Sequence, residues 1–497
     1  MSLLSKLKEL GKDTSIYGMS KVLSQLLNFI LVPIYTGYLS PSDYGILAMT
    51  TLYSSLFTPV VNMGLTSAVF RFMTYTETDE ERKQIISTGH IAVISLALMG
   101  LALSLLFLPH INAILLNKDI PTSYLSIAVF TAFFSAIDAM PLAILRIERK
   151  AKKVATISLV NLMLSMGTTI LLVIVFKFGV YGSLYGLLIA NVMTAIYMFS
   201  QVTRPNFRYF SWAELKRMLG FGLPAVPHHL QAIGMSMYGQ FMVKTMLSIE
   251  QAGLYNIAWK FTMPLVMITN AVQQSWGPYK FHLHKSEGEK AAFTFGSIFN
   301  YYLAAILFVF TMMALWMPYV FVWSVNSKFY EAASLLVYLS LIPICTGLYW
   351  MLGTGIELGK SMKLLPFISF SGFMVTFLTA ALFINKFGTA GAGIATSCGW
   401  LTMAVLVYFY AQSIFKVAYD WLSVLACLLV AAAVIFANNY WASDLGIWPK
   451  FGLRLLLSIG FVLGIAIVFF RNKSESARMR QALNVLKNRK KKNKNVA

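Results

Sequence analysis

The sequence predicts an all-α integral membrane protein of about fourteen transmembrane helices. Two parallel six-helix repeats form N- and C-lobes around a central cavity, and two extra helices follow at the C-terminal end. Three observations lead there. Charged residues make up only 12% of the chain while hydrophobic ones make up 58%, against about 25% charged in a soluble domain. The apolar residues fall in blocks of roughly 20 to 30, each long enough to cross a ~30 Å hydrocarbon core as a helix. Finally, short motifs recur at a separation of 208 or 209 residues.

Taken in order, residues 1–12 form a short amphipathic stretch with Leu3, Leu4, Leu7 and Leu10 on one side. No apolar core with a small-residue cleavage site follows, so no removable signal peptide is expected. Apolar blocks between charged or turn-rich breaks place spans at 14–38, 42–71, 85–108, 122–146, 154–176, 181–203, 218–247, 251–280, 291–319, 330–356, 361–385, 389–413, 418–441 and 451–471. The domain organisation read from them is an N-lobe over 1–203, a C-lobe over 204–413, appended helices over 414–471 and a basic tail over 472–497. Cys345, Cys398 and Cys427 lie inside apolar blocks and read as small buried hydrophobes rather than a disulfide or metal framework. No metal site is expected.

Lysine and arginine set the orientation. With the N-terminus in the cytoplasm, 31 basic residues fall on the cytoplasmic side. Only five, Lys118, Lys177, Lys328, Lys386 and Lys450, fall on the other. That asymmetry obeys the positive-inside rule and puts both termini in the cytoplasm. The net charge of +21 is therefore mainly topology, and no nucleic-acid partner is expected. The tail from Arg471 to Lys494 reads as a topology and lipid-headgroup anchor for the last helix, with a partner-binding tail as the alternative.

The repeat is carried by three matches. Leu39-Ser-Pro-Ser-Asp-Tyr-Gly45-Ile parallels Leu247-Ser-Ile-Glu-Gln-Ala-Gly253-Leu at an offset of 208. Lys177-Phe-Gly-Val-Tyr-Gly182 parallels Lys386-Phe-Gly-Thr-Ala-Gly391, and Ile147-Glu148 parallels Ile356-Glu357, both at 209. An even number of helices per copy makes the copies parallel, related by an axis along the membrane normal, with substrate expected between them.

Polar residues inside the spans carry the chemistry, because in hydrocarbon they are costly without a purpose. Tyr17, Lys21, Ser24, Gln25 and Asn28 share one face of span one. Lys21 lies about 10–13 Å in from its cytoplasmic end. In span seven His229, Ser236, Gln240 and Lys244 share a face, and His229 is the repeat equivalent of Lys21. Span eight aligns Asn256, Lys260, Asn270 and Gln274.

The candidate substrate-binding set of a cationic cavity is therefore Lys21, Lys260, His229, Lys244, Gln25, Asn28, Asn256 and Gln274. Its sign favours an anionic group such as a phosphate or pyrophosphate on a lipid carrier. Snorkelling to the interface is the bland alternative for Lys244, and helix–helix hydrogen bonding for His229. Arg71 and Arg146, at cytoplasmic span ends, are candidate gate cations or simple anchors. Asp138, three residues before Pro141, is a candidate ion-coupling site or the counter-ion of a nearby lysine. Pro33, Pro59, Pro224, Pro227, Pro264 and Pro343 are expected to break or bend the cavity-lining spans.

The runs Leu39-Ser-Pro-Ser-Asp-Tyr-Gly-Ile-Leu47 and Asn62-Met-Gly-Leu-Thr-Ser-Ala-Val-Phe-Arg-Phe72 resemble the first two helices of polysaccharide-biosynthesis flippases of the O-antigen or exopolysaccharide (Wzx) type. These belong to the multidrug/oligosaccharidyl-lipid/polysaccharide exporter superfamily. The resemblance spans about residues 10–413. It implies a non-enzymatic translocase in the bacterial cytoplasmic (inner) membrane. Such a protein carries an undecaprenyl-pyrophosphate-linked oligosaccharide to the outer leaflet by alternating access, for surface polysaccharides such as lipopolysaccharide. Lys21 and Lys260 are the positions it matches to pyrophosphate binding. No cofactor is implied beyond a coupling H⁺ or Na⁺. The implied partners are the lipid-linked oligosaccharide, membrane lipids and other polysaccharide-assembly proteins, around a monomeric transporter. Fourteen helices match the lipid II flippase branch, whose last two helices form a lipid-tail groove. The alternative is an ion-coupled multidrug exporter of the MATE type, to which Asp138 alone conforms. An enzyme would need catalytic residues on a sizeable outer loop, and the sequence has none.

Overall fold

A computed structural model describes residues 23–76, 78–202, 205–359, 363–441 and 447–471. Lys21 and the basic tail beyond Arg471 lie outside the described residues. Every regular element among the described residues is helical, and eleven of these helices are long and apolar enough to cross a membrane. The three remaining predicted spans are helical as well. They correspond to α1 (residues 23–38), α10 (Val226–Met246) and the pair α11 (Ile249–Phe261) and α12 (Met263–Glu287). These are the segments with polar stripes, which lowers their hydropathy or shortens their apolar run.

Chain chemistry sets the first sharp turn. Ser40 caps α2 (Pro41–Asn62): its hydroxyl accepts from the Asp43 amide at 3.2 Å, and the Asp43 carboxylate accepts from the Ser40 amide at 2.7 Å. This reciprocal box satisfies two otherwise orphaned amides, and Pro41 adds a preset φ at the first helical position. The repeat reproduces the cap, with Ser248 accepting from the Gln251 amide at 3.1 Å. It also reproduces a left-handed turn, since Gly179 (φ 55°) and Gly388 (φ 58°) are 209 residues apart.

Span two, expected as one helix to residue 71, is two. Met63 (φ 46°) and Gly64 (φ 72°) take left-handed conformations that end α2. Asn62 then starts α3 (Leu65–Tyr75), accepting from the Thr66 amide and hydroxyl, both at 3.1 Å. Span eight likewise breaks at Thr262, before Pro264 at the start of α12. Pro59 and Pro343, by contrast, lie within continuous helices.

The chain forms two compact units. The first takes residues up to Lys260 together with Ser324–Leu335 and Ser369–Gly399. In it α2 packs on α6 (Thr122–Ile147), and α6 on α4 (Asp79–Leu106) and α8 (Gly179–Gln201). α7 (Ala151–Ile170) lies along α8. Helices α2 and α11 cross at the repeat-related glycines. A β-carbon on Gly45 would overlap the Ile249 carbonyl oxygen, and one on Gly253 the Pro41 carbonyl oxygen. The contact is reciprocal: Pro41 and Gly45 correspond to Ile249 and Gly253 at the offset of 208. Backbones approach this closely only where side chains are absent, as at small-residue membrane helix contacts. α3 is clasped to α9 (Trp212–Gly222) by two cation–π contacts. The Arg71 guanidinium lies 4.5 Å from the Phe221 ring centre and that of Arg217 4.3 Å from Phe72, with the two rings edge-to-face at 5.9 Å.

The second unit takes Phe261–Trp323, Leu336–Ile368 and the residues from Trp400 onward. Its α12 packs against α14 (Leu336–Leu352). There Lys280, 3% exposed, forms an ion pair with Glu357 on the short helix α15 (Thr354–Leu358), and Trp276 donates to Thr354 at 2.9 Å. α18 (Trp421–Trp441) and α19 (Ile447–Arg471) pack on each other. Arg454, buried in α19, donates to Asn438 of α18 at 2.9 Å and stacks 4.1 Å over Tyr319 of α13 (Ala291–Ser324).

Gly253→Leu should destabilise the purified protein by at least the 1–3 kcal/mol typical of overpacking, because a backbone carbonyl cannot yield to it. Gly220→Ala, whose β-carbon meets nothing within 4 Å, should not. Thermal unfolding in detergent compares the two, and equal midpoints would remove the close crossing from the fold.

Candidate functional site

The polar surface inside the first unit is built on α2. Thr51, Ser55, Thr58 and Asn62 stand at i, i+4, i+7 and i+11, one helical face. With Thr50 and Ser54 beside them, they turn toward α6 and α8. A cavity of about 430 Å³ lies there, lined also by Thr131 and Ser135 of α6 and Ser183 and Asn191 of α8.

The hydroxyl protons are largely committed to the helices' own carbonyls. Thr50 and Thr51 donate to Leu47 at 3.0 and 2.7 Å, Ser54 to Thr50 at 3.1 Å, Thr58 to Ser54 at 3.2 Å and Thr131 to Ile127 at 2.8 Å. Such back-bonding lets a hydroxyl live in an apolar helix and leaves its lone pairs directed outward as acceptors. A second cavity, of about 550 Å³, shares Ser55 and Thr58 with the first. It runs past Asn62 and Thr66 to His229, Ala232 and Ile233 of α10.

The sequence-predicted residues fall in several places. His229 is exposed in this second cavity and is the candidate that the structure sets against the hydroxyl-bearing face of α2. Lys260 is half-buried, with its ammonium 5.0 Å above the ring of Tyr44. Tyr44 is fully buried and meets Phe329 edge-on at 5.4 Å. Lys260 therefore sits beside the α2–α11 crossing and lines neither cavity, and Asn256, one turn earlier, is half-buried.

Lys244 is tied down within the first unit. It is 5% exposed and donates to the Ile114 carbonyl at 2.7 Å, at the C-terminal end of α5 (Leu108–Leu115), where backbone oxygens lack helical partners and the macrodipole favours a cation. Gln240, one turn before it, donates to the Ala252 carbonyl at 3.2 Å and ties α10 to α11. Gln25 is half-buried on α1, while Asn28 is exposed and donates to the Ser24 carbonyl at 2.9 Å. Gln274 is exposed and belongs to the second unit. Asp138 is 5% exposed on α6, and its Oδ1 has no hydrogen-bond partner among the described residues. Arg71 is engaged by Phe221, and Arg146 is exposed in the last turn of α6.

Two features are missed by the sequence reasoning. The hydroxyl face of α2 has the same spacing as the stripe on span one, but serine and threonine score as nearly neutral in hydropathy. Arg454, eight residues into α19, is a fourth basic residue inside a span, and counting cations by span would have found it. In the second unit, a wholly apolar cavity of about 230 Å³ lies among Leu303, Ile344, Leu348, Leu401, Val405 and Leu428.

Residues 34–293 match the family described as polysaccharide biosynthesis protein. The chain belongs to this family. Its match covers the hydroxyl face of α2, the Ser40 cap, both cavities' α2 and α6 residues, His229 and Lys260. No curated protein matches the sequence. Among solved structures, the chain is similar to the lipid II flippase MurJ in an inward closed conformation: TM-score 0.72, 16% identity, 91% of this chain and 98% of that one. It is also similar to an inward-facing multidrug resistance MATE family transporter of the MOP superfamily: TM-score 0.60, 17% identity, 78% of this chain and 94% of that one. A MATE in complex with MaL6 gives a TM-score of 0.53 at 18% identity, over 80% of this chain and 93% of that one. At these identities the likeness is one of fold. The family member described here is thus a multi-pass helical membrane protein with the fold of MOP-superfamily transporters.

Lys244→Met leaves the Ile114 carbonyl buried without its donor and should cost about 1–3 kcal/mol of stability. Gln274→Ala, at an exposed position, should stay within about 0.5 kcal/mol of wild type. Differential scanning fluorimetry of the purified variants measures both, and a stable Lys244→Met protein would mean that the bond is dispensable.

Proposed function

We propose that this protein is a flippase that moves an undecaprenyl-pyrophosphate-linked oligosaccharide from the cytoplasmic to the outer leaflet, for surface polysaccharide biosynthesis. The observation that carries the reading is a pair of cavities along the hydroxyl face of α2, sharing Ser55 and Thr58 and reaching His229, inside a membrane-spanning helical bundle of the polysaccharide biosynthesis family. Membrane helices do not carry a polar face of this length against lipid. Such a face suits a passenger that is polar at one end and lipid at the other. Lys21 and Lys260 would supply positive charge for the diphosphate and His229 a ring N–H, with Gln25, Asn28 and Asn256 as neutral donors.

The protein changes the side on which its substrate lies and no covalent bond of it. The excess of basic residues on one side supports a topology with both termini in the cytoplasm, and the reading takes the membrane to be a bacterial inner membrane. The N-lobe over 1–203 and C-lobe over 204–413 would rock about the passenger as a monomer, handing it to other assembly proteins outside. Arg71 and Arg146 flank the cytoplasmic mouth in this scheme.

A second reading, an ion-coupled multidrug exporter, draws on Asp138, a buried carboxyl whose Oδ1 has no partner among the described residues. In the flippase the same group would serve H⁺ or Na⁺ coupling. Drug-efflux assays with wild type and Asp138→Asn separate the two readings, since only an exporter would confer resistance that the variant loses.

Lys21→Ala, Lys260→Ala and His229→Ala should each lower surface polysaccharide and the rate of lipid-linked oligosaccharide flipping in proteoliposomes. Removal of one charge-assisted contact corresponds to about tenfold or more. Membrane insertion should be unchanged, and Lys21→Arg should retain more activity than Lys21→Glu. Normal polymer in all three alanine variants would sink the cationic reading.

A further inference from the structure

We infer that the hydroxyl-lined cavity between α2, α6 and α8 is the saccharide subsite, a seat for an uncharged, hydroxyl-bearing sugar ring. It is separate from the charged groups that would hold the phosphates. The inference rests on the flippase reading and adds to it which surface takes which part of the passenger.

Three features define the chemistry. First, none of the residues lining this cavity is ionisable. A phosphate would find no cation there, and its oxygens would meet hydroxyls whose protons are already donated along their helices. A hard cation would find hydroxyl oxygens but no carboxylate, whereas protein cation sites are built around one or more. Second, the lining offers acceptors in excess. Thr50, Thr51, Ser54 and Thr131 all donate to helix carbonyls, so what they present to the cavity is lone pairs. A ligand that satisfies them must carry several donors, as a sugar ring does. Third, one donor end is held in place. Asn161 donates to the Asn191 carboxamide oxygen at 3.2 Å and to Thr194 at 2.8 Å. That orientation leaves the Asn191 amide hydrogens for a ring or hydroxyl oxygen. The Ser183 hydroxyl, buried and without a hydrogen-bond partner among the described residues, adds a rotor that can donate or accept.

Size and continuity agree. About 430 Å³ lies within the 300–1,000 Å³ of small-ligand sites. Because Ser55 and Thr58 line both cavities, a single lipid-linked molecule can set its sugar against the hydroxyl face of α2 while its charged linkage lies beside His229. Discrimination would then come from buried hydrogen-bonding groups that an incorrect sugar leaves unpaired.

The test uses the full-length chain in lipid nanodiscs. Two kinds of probe are titrated: undecaprenyl pyrophosphate, and the same lipid carrying a single glucose, galactose or N-acetylglucosamine. The wild type should bind at least one glycosylated probe more tightly than the bare lipid. The triple variant Thr51→Val, Ser54→Ala, Ser135→Ala should lose that preference by about tenfold or more, at roughly fivefold per lost hydrogen bond. Its affinity for bare undecaprenyl pyrophosphate should hold, and Thr51→Ser should keep the preference. A triple variant with the wild-type preference overturns the subsite and leaves the flippase reading standing, as does a wild type that binds all probes equally. Equal loss of both probe types assigns these hydroxyls to helix packing and also overturns it. A wild type that binds no probe removes the flippase reading itself.

Discussion

The architecture of the first unit depends on two stretches of backbone lying closer than side chains permit. At the crossing of α2 and α11, Gly45 faces the Ile249 carbonyl and Gly253 faces the Pro41 carbonyl. In lipid there is no hydrophobic drive to bring helices together, so contact must come from fit and from weak polar interactions between backbones. The reciprocal arrangement uses each copy of the repeat once as donor of a glycine and once as donor of a carbonyl. Everything nearby takes its position from it. Tyr44 is buried one residue before Gly45, Lys260 rests on Tyr44, and the hydroxyl face of α2 is turned toward α6 and α8 instead of α11.

The motif that marks the beginning of α2 acquires a residue-by-residue explanation from this contact. In Ser40-Pro-Ser-Asp-Tyr-Gly45 the serine and aspartate close a capping box, the proline presets the first turn, the tyrosine fills the space under Lys260 and the glycine allows the crossing. The second copy keeps the serine cap and the glycine and drops the proline and the tyrosine. What the repeat preserves is the backbone geometry of the turn and the close approach. What it varies is the chemistry around them.

Much of the fold was legible because apolar blocks of membrane length are a strong, additive signal, and the repeat offset was carried by turn residues whose conformations match, as at Gly179 and Gly388. The break at Met63 was not, because two left-handed residues inside an apolar run leave the hydropathy unchanged. The site was legible only in part. Charge pointed to His229, which lines the second cavity, and to Lys260, which lines neither. Yet Lys244 is fixed by a carbonyl 130 residues away in sequence, a partner that no local pattern announces. The cavity itself was hidden in threonines and serines, which each helix satisfies internally and which therefore pass as filler. Arg454, held by Asn438 and Tyr319, shows that a basic residue within a span can serve helix docking as readily as a substrate.

The internal bonding of those hydroxyls has a consequence for the empty state. A polar chamber normally demands water when its ligand leaves, since stranded donors in a low-dielectric interior are costly. Here the donors remain paired with Leu47, Thr50, Ser54 and Ile127 whether or not anything occupies the space. Beyond the Asn191 amide and the Ser183 hydroxyl, what is left behind is acceptor lone pairs, the cheaper half of a hydrogen bond to leave unfilled. A carrier of this construction can shed its hydration and reset unloaded, so the idle half of its cycle need not be the slow one.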